Sequence, residues 1–103
     1  MQPPAGWQNP IRVPPGQWQY GVDPLQLLPG RDDLLQSGLD LQRSLHSAGI
    51  PRFSPIQVTP DGVIWDGHHA ARIAAEDGRT IDIRVVGIDQ PVAGHSILDL
   101  PVR

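Results

Sequence analysis

The chain has 103 residues and a formal charge of −3 at neutral pH, so the expectation is one domain with a modest core and no broad basic face. There is no cysteine, and all 8 cations are arginine, which excludes disulfides, thiolate metal sites, a cysteine nucleophile and any lysine chemistry. Aromatic residues make up only 5%, so the core must come from Leu, Ile, Val and Ala, while 12 Pro and 11 Gly point to long irregular segments. No stretch approaches the length of a membrane span, and the Pro- and Gln-containing start does not read as a signal peptide. A start of Met-Gln-Pro-Pro also suits a domain taken from a longer protein.

Residues 1–20 read as an irregular arm, because Pro3, Pro4, Pro10, Pro14 and Pro15 forbid a helix there. Trp7, Trp18 and Tyr20 are expected to pin that arm to the domain rather than to form a partner-binding or base-stacking strip. Val22–Leu28 is predicted as a short strand, confined to a sheet edge by Pro24. Asp32–Gln36 reads as a helical turn, with Asp32 and Asp33 solvated rather than paired for catalysis. The first strong helix signal is Asp40–Ala48. Asp40 is its expected N-cap, Leu41, Leu45 and Ala48 its apolar face, and Gly49 its stop.

Pro55–Thr59 and Val63–Trp65 are predicted as a hairpin turned by Pro60-Asp61-Gly62, where Pro sets φ and Gly accepts a positive one. A sharp Asp66-Gly67 turn follows. The next helix runs from His68 to Glu76 and stops at Gly78, with Ala71, Ala74 and Ala75 as a small-residue stripe for close packing. Ile81, Ile83 and Val85 alternate with Asp82 and Arg84, the pattern of a half-buried strand. Ile97–Val102 is either an edge strand or an extended arm. The expected fold class is α+β, a small mixed β-sheet packed against two to three helices. The domain proper is placed at 21–87, with the arm at 1–20 and a C-terminal extension at 88–103.

The Asp66-Gly67-His68-His69 turn is the candidate site. A helix that starts just after a glycine presents unpaired N–H groups and a positive dipole end, a natural seat for phosphate. Arg72 is one helical turn from His68 and is expected to reach the same anion. Asp66 either caps the helix or serves as a base. Adjacent histidines diverge on a helix, so one of the pair is expected to face the ligand and the other to pack or orient backbone. The spacing lacks a His-x-x-x-His metal pattern, which leaves Asp66, one His and water as the only ligands for a divalent ion. His46 is expected to be exposed. His95, Ser96 and Asp99 have triad residue types without a nucleophile turn.

The ordered set Leu41–Ile50, Pro55-Ile56-Gln57-Val58, Val63–His69, Ala74-Ala75, Gly78 and Ile81–Val86 resembles the ParB/sulfiredoxin superfamily, including the ParB-like nuclease domains. Val22–Pro29 is similar to the opening strand and Leu-x-Pro segment of that family, and the likeness covers about two thirds of the chain. By that resemblance Gly67 is the turn glycine, and His69 matches a His or Arg that contacts nucleotide phosphate. His68 stands where sulfiredoxins place Cys and partition proteins place Glu, and Ala70 stands where the family usually has Arg. Arg72 matches a further family Arg. Ser44 matches a Ser/Thr near bound nucleotide, with Arg43 beside it as a second cation.

The resemblance implies a ParB-like nuclease that hydrolyses DNA or RNA phosphodiesters. Asp66, His68, His69 and Arg72 would be the catalytic set, Gly67, Arg43 and Ser44 the phosphate-binding set, and Mg²⁺ the candidate cofactor. Such domains also occur as modules of secreted bacterial toxins, which implies an immunity protein as partner and delivery into a target cell; otherwise the location is cytoplasmic. The alternatives are an ATP- or CTP-binding hydrolase or phosphotransferase and a catalytically inactive binding module. Sulfiredoxin chemistry is excluded by the missing Cys, and chromosome partitioning would need more chain.

Overall fold

Trp18–Val22 (β1), Ile56–Val58 (β2), Ile64–Asp66 (β3) and Ile81–Val85 (β4) form one mixed sheet in a computed structural model that describes residues 1–50 and 54–103. The strand order is β1-β4-β2-β3. β2 and β3 are the antiparallel hairpin, β2 and β4 pair in parallel, and β1 closes antiparallel onto β4. The parallel pair needs a crossover, and the helix His68–Glu76 (α2) supplies it. A second helix, Gln36–Ser47 (α1), packs beside α2. The α+β class and the mixed sheet are as expected. No helix among the described residues is long and apolar enough to cross a membrane.

Local chemistry accounts for the elements that match expectation. In the hairpin turn the Gly62 amide donates to Thr59 O, and the Thr59 hydroxyl accepts from the Val63 amide. β4 alternates buried Ile81, Ile83 and Val85 with exposed Asp82 and Arg84. Ala71, Ala74 and Ala75 are buried, so α2 lies close to its neighbours. Both helices end as expected at a left-handed glycine. Ile50 donates to Leu45 O and Gly49 to His46 O at the end of α1, and Arg79 and Gly78 do the same to Ala74 and Ala75 after α2.

Other elements differ from expectation. The strand expected at Val22–Leu28 is instead β1, drawn from the Pro-rich arm, followed by a 3-10 turn at Pro24–Gln26. Asp23 takes the Leu25 amide on its carboxylate and Pro24 sits in the first turn, so the chain leaves the sheet there. No helical turn forms at Asp32–Gln36. Leu34 instead bridges in parallel to Val102, and α1 begins at Gln36 rather than at Asp40. Asp40 is therefore inside the helix, where it accepts from Gln36 Nε2 at 2.8 Å. The buried residue of α1 is Leu39, while Leu41 is 56% exposed and Ala48 lies on the surface. The C-terminal extension is also part of the core, because Ile97 and Leu100 are buried in the main apolar cluster.

Trp7 does pin the arm. Its indole N–H donates to Gln26 O, and its ring packs against Gly62. Trp18 and Tyr20 do not; they stack on each other at the surface.

Candidate functional site

The end of β3 delivers the chain into Gly67, which has φ +99° and is the N-cap of α2. A side chain there would be strained by that angle, and its Cβ would come within 2.9 Å of Ile56 Cγ1. Gly67 offers no side-chain acceptor, and the first turn of α2 contains no acidic residue. Asp66 is therefore not the N-cap. The positive end of α2 opens into a cavity of about 470 Å³. Its walls come from Gly30–Asp33, from Gln42 on α1, from Trp65–Ala70 and from Gln90 in the C-terminal extension.

Of the expected site residues, Asp66, Gly67, His68 and His69 line this cavity together. The two histidines brace the ends of one segment. The Gly30 amide donates to His68 Nε2 at 2.9 Å, and the Leu35 amide donates to His69 Nε2 at 3.0 Å. Each ring accepts on Nε2, so each neutral imidazole carries its proton on Nδ1. His68 is buried, and its pKa is pushed down to about 4, first by that burial and then by Arg31 and His69, with Asp66 opposing. His69 packs against α1 so closely that a Cβ at Gly38 would lie 2.6 Å from its ring. Both rings point to the Gly30–Leu35 segment, each through a backbone amide.

Arg72, Arg43 and Ser44 are not among the residues lining the cavity. Glu76 draws both arginines elsewhere. Arg72 Nε and Arg43 Nη2 each reach a Glu76 carboxylate oxygen at 2.7 Å. Arg72 Nη1 also donates to Ile97 O at 3.1 Å and Leu100 O at 3.4 Å. Arg72 thus ties α2 to the C-terminal extension, and Glu76 joins Arg43 of α1 to the same network. Its partner Glu76 is held below the ordinary carboxylate range, mainly by the hydrogen bond from Arg43. Ser44 lies exposed on α1.

Among the described residues, the cation that lines the cavity is Arg31, which sequence reasoning missed. Arg31 Nη2 lies 3.1 Å from Asp33 Oδ1, and Arg103 Nε lies 3.0 Å from Asp33 Oδ2. Gln90 donates to Gly30 O at 2.6 Å and fixes the start of the same segment. Only the flanking Pro29-Gly30 hinted at such a loop, because Gly30 has no room for a side chain beside Ile64 O and Gln90. Comparisons with protein-family models, with curated proteins and with solved structures find no match to this chain. The ParB/sulfiredoxin likeness accordingly rests on the order of its sequence motifs.

Elsewhere, His95 Nε2 lies 3.1 Å from Gln2 O, and Ser96 Oγ accepts from the Leu98 amide. Those contacts serve chain ends rather than a triad. Among the described residues no group of three or more His, Asp or Glu side chains is placed to hold a metal ion.

Proposed function

We propose that this domain binds a phosphate ester at the N-terminus of α2, with a nucleotide or a nucleic-acid backbone as the ligand class, in the manner of a ParB/sulfiredoxin-like domain. One observation carries the reading: the positive end of α2, without a side-chain cap or an acid in its first turn, opens into a cavity that also contains Arg31. Asp32 and Asp66 line the same cavity. A Mg²⁺ ion carried by a phosphate ligand takes one or two protein carboxylates and fills its other positions with phosphate oxygens and water. Those two side chains are the ones that would receive it.

His68 enters this reading as a donor. Its Nε2 lone pair is taken by the Gly30 amide, so Nδ1–H is what the neutral ring can offer. Hydrolysis of the bound ester is the second reading. Asp66 favours it, as a carboxylate in the same cavity that could take a proton from water.

Amide chemical shifts recorded during titration with inorganic phosphate, CTP and a short oligonucleotide, with Mg²⁺ and with EDTA, test the proposal. Shifts centred on Gly67–Ala70 and Arg31 are expected. Saturating ligand that leaves those amides unmoved would sink it. Cleavage of the oligonucleotide that disappears in Asp66→Asn would add the hydrolytic step.

A further inference from the structure

Trp65 lines the same cavity as Arg31 and Gly67, and it is 43% exposed. Neighbours on a regular strand turn to opposite faces, so Trp65 and Asp66 would not ordinarily share one wall. The hairpin register accounts for their doing so. Asp66 pairs with Gln57 and Ile64 with Val58, so one step on β2 spans two on β3, and Trp65 is the extra residue. A bulge of this kind re-aims the side chain it carries, and bulges concentrate at sheet edges and beside functional sites. Among the described residues no other ring stacks on the Trp65 indole.

Two more groups in the wall have capacity to spare. His68 is only 7% exposed, and its Nδ1–H makes no hydrogen bond among the described residues. A buried donor left open in a cavity wall calls for an acceptor from outside the chain. Gln42, half-buried on α1, brings an amide that both donates and accepts.

Resting on the phosphate reading above, we propose that the ligand carries an unpaired nucleobase and that Trp65 is the platform on which this base stacks. Trp65 precedes Gly67 by two residues, about 6–7 Å of strand. One ribose bridges a gap of that order between a phosphate and its base. The first amides of α2 and Arg31 then hold the phosphate, His68 Nδ1–H meets an oxygen of the phosphate or sugar, the indole covers one face of the base, and Gln42 meets its edge. The cavity, at about 470 Å³, suits one such unit. Stacking on an aromatic face is tolerant of base identity, so the site distinguishes unpaired from paired bases rather than one base from another. A mononucleotide and a single strand both offer a free ring face. A duplex keeps its bases stacked on each other and paired at their edges, and offers none.

Calorimetric titration of the full chain, with Mg²⁺ present, tests this with ribose phosphate, the nucleoside monophosphates, a single-stranded oligonucleotide and its duplex. The nucleotides are expected to bind about tenfold more tightly than ribose phosphate. Trp65→Ala should bring them down to the level of ribose phosphate, and Trp65→Phe should keep most of the preference. Trp18→Ala, which changes a ring outside this cavity, should keep all of it. Circular dichroism confirms the folding of each variant. In the wild type, the indole N–H resonance of Trp65 should move with nucleotide and stay in place with ribose phosphate. A wild type that binds nucleotide and ribose phosphate equally, a preference that survives Trp65→Ala, or a duplex bound as tightly as its single strand would each overturn the inference while leaving the phosphate site standing. Failure of every ligand to bind would remove the phosphate reading itself, and this inference with it.

Discussion

The Gly30 amide donates to the buried imidazole of His68 across 2.9 Å, and this bond requires the ring to be neutral. Protonating Nε2 would set an N–H against an N–H in a site that already contains Arg31. The segment that carries Arg31, Asp32 and Asp33 into the cavity is thus held by a group whose charge depends on pH.

The sign of the effect follows from the two states. His68 titrates near 6.5 when unfolded and near 4 when folded, so above 6.5 both states are neutral and the stability is fully present. Below 6.5 the unfolded chain takes a proton that the native chain refuses until about 4, so stability is lost as pH falls across that interval. The loss expected is on the order of 3 kcal/mol. Urea denaturation at a series of pH values measures it. His68→Gln, which keeps an acceptor without a titrating proton, should flatten that part of the profile, and an unchanged slope would remove His68 as the cause.

Gly38 and His69 should behave as a coupled pair. Gly38→Ala alone forces a methyl against the ring and should cost about 1–3 kcal/mol despite the better helix propensity of alanine. His69→Ala alone removes the acceptor of the Leu35 amide and should cost about 1 kcal/mol. In the double variant the methyl has room, so the total should be smaller than the sum. Additive losses would mean that the ring moves aside at no cost.

Arg31 and Arg72 should separate binding from stability. Arg72→Met leaves the Ile97 and Leu100 carbonyls without their donor and Glu76 with one cation fewer, and should lower stability by about 1–3 kcal/mol. Phosphate binding per folded molecule should persist in that variant. Arg31→Gln should do the reverse, changing stability by within about 0.5 kcal/mol while weakening binding, because its ion pair with Asp33 is partly exposed. Denaturation curves and calorimetric phosphate titrations of both variants decide it.

Gly67→Ala should destabilise by about 1–3 kcal/mol, since φ +99° is strained for alanine and Ile56 occupies the Cβ position. Thermal denaturation measures the loss, and a variant as stable as wild type would show that the turn can relax.

Some features were legible in the chain because they rest on interactions between near neighbours. The hairpin around Pro60-Asp61-Gly62, the limits of α2, the glycine stops at 49 and 78 and the alternation in β4 all follow from backbone preference and short-range periodicity. The glycine turn at the head of α2 was legible for the same reason. The partners of its side chains were not, because His68 meets Gly30 across 38 positions and Arg72 meets Ile97 across 25. Helical spacing put Arg72 within reach of the anion site, but Glu76 and the C-terminal carbonyls compete for the same guanidinium and prevail. Leu39 rather than Leu41 is buried for a similar reason: periodicity names the stripes of α1, and only the position of α2 selects one. β1 lay hidden in a proline-rich arm because its ladder is supplied by β4, more than sixty residues further along the chain. Local chemistry thus determined the hairpin, α2, β4 and the glycine stops of both helices. The long-range pairing of donors with acceptors, which no short stretch of sequence encodes, decided which residues line the cavity.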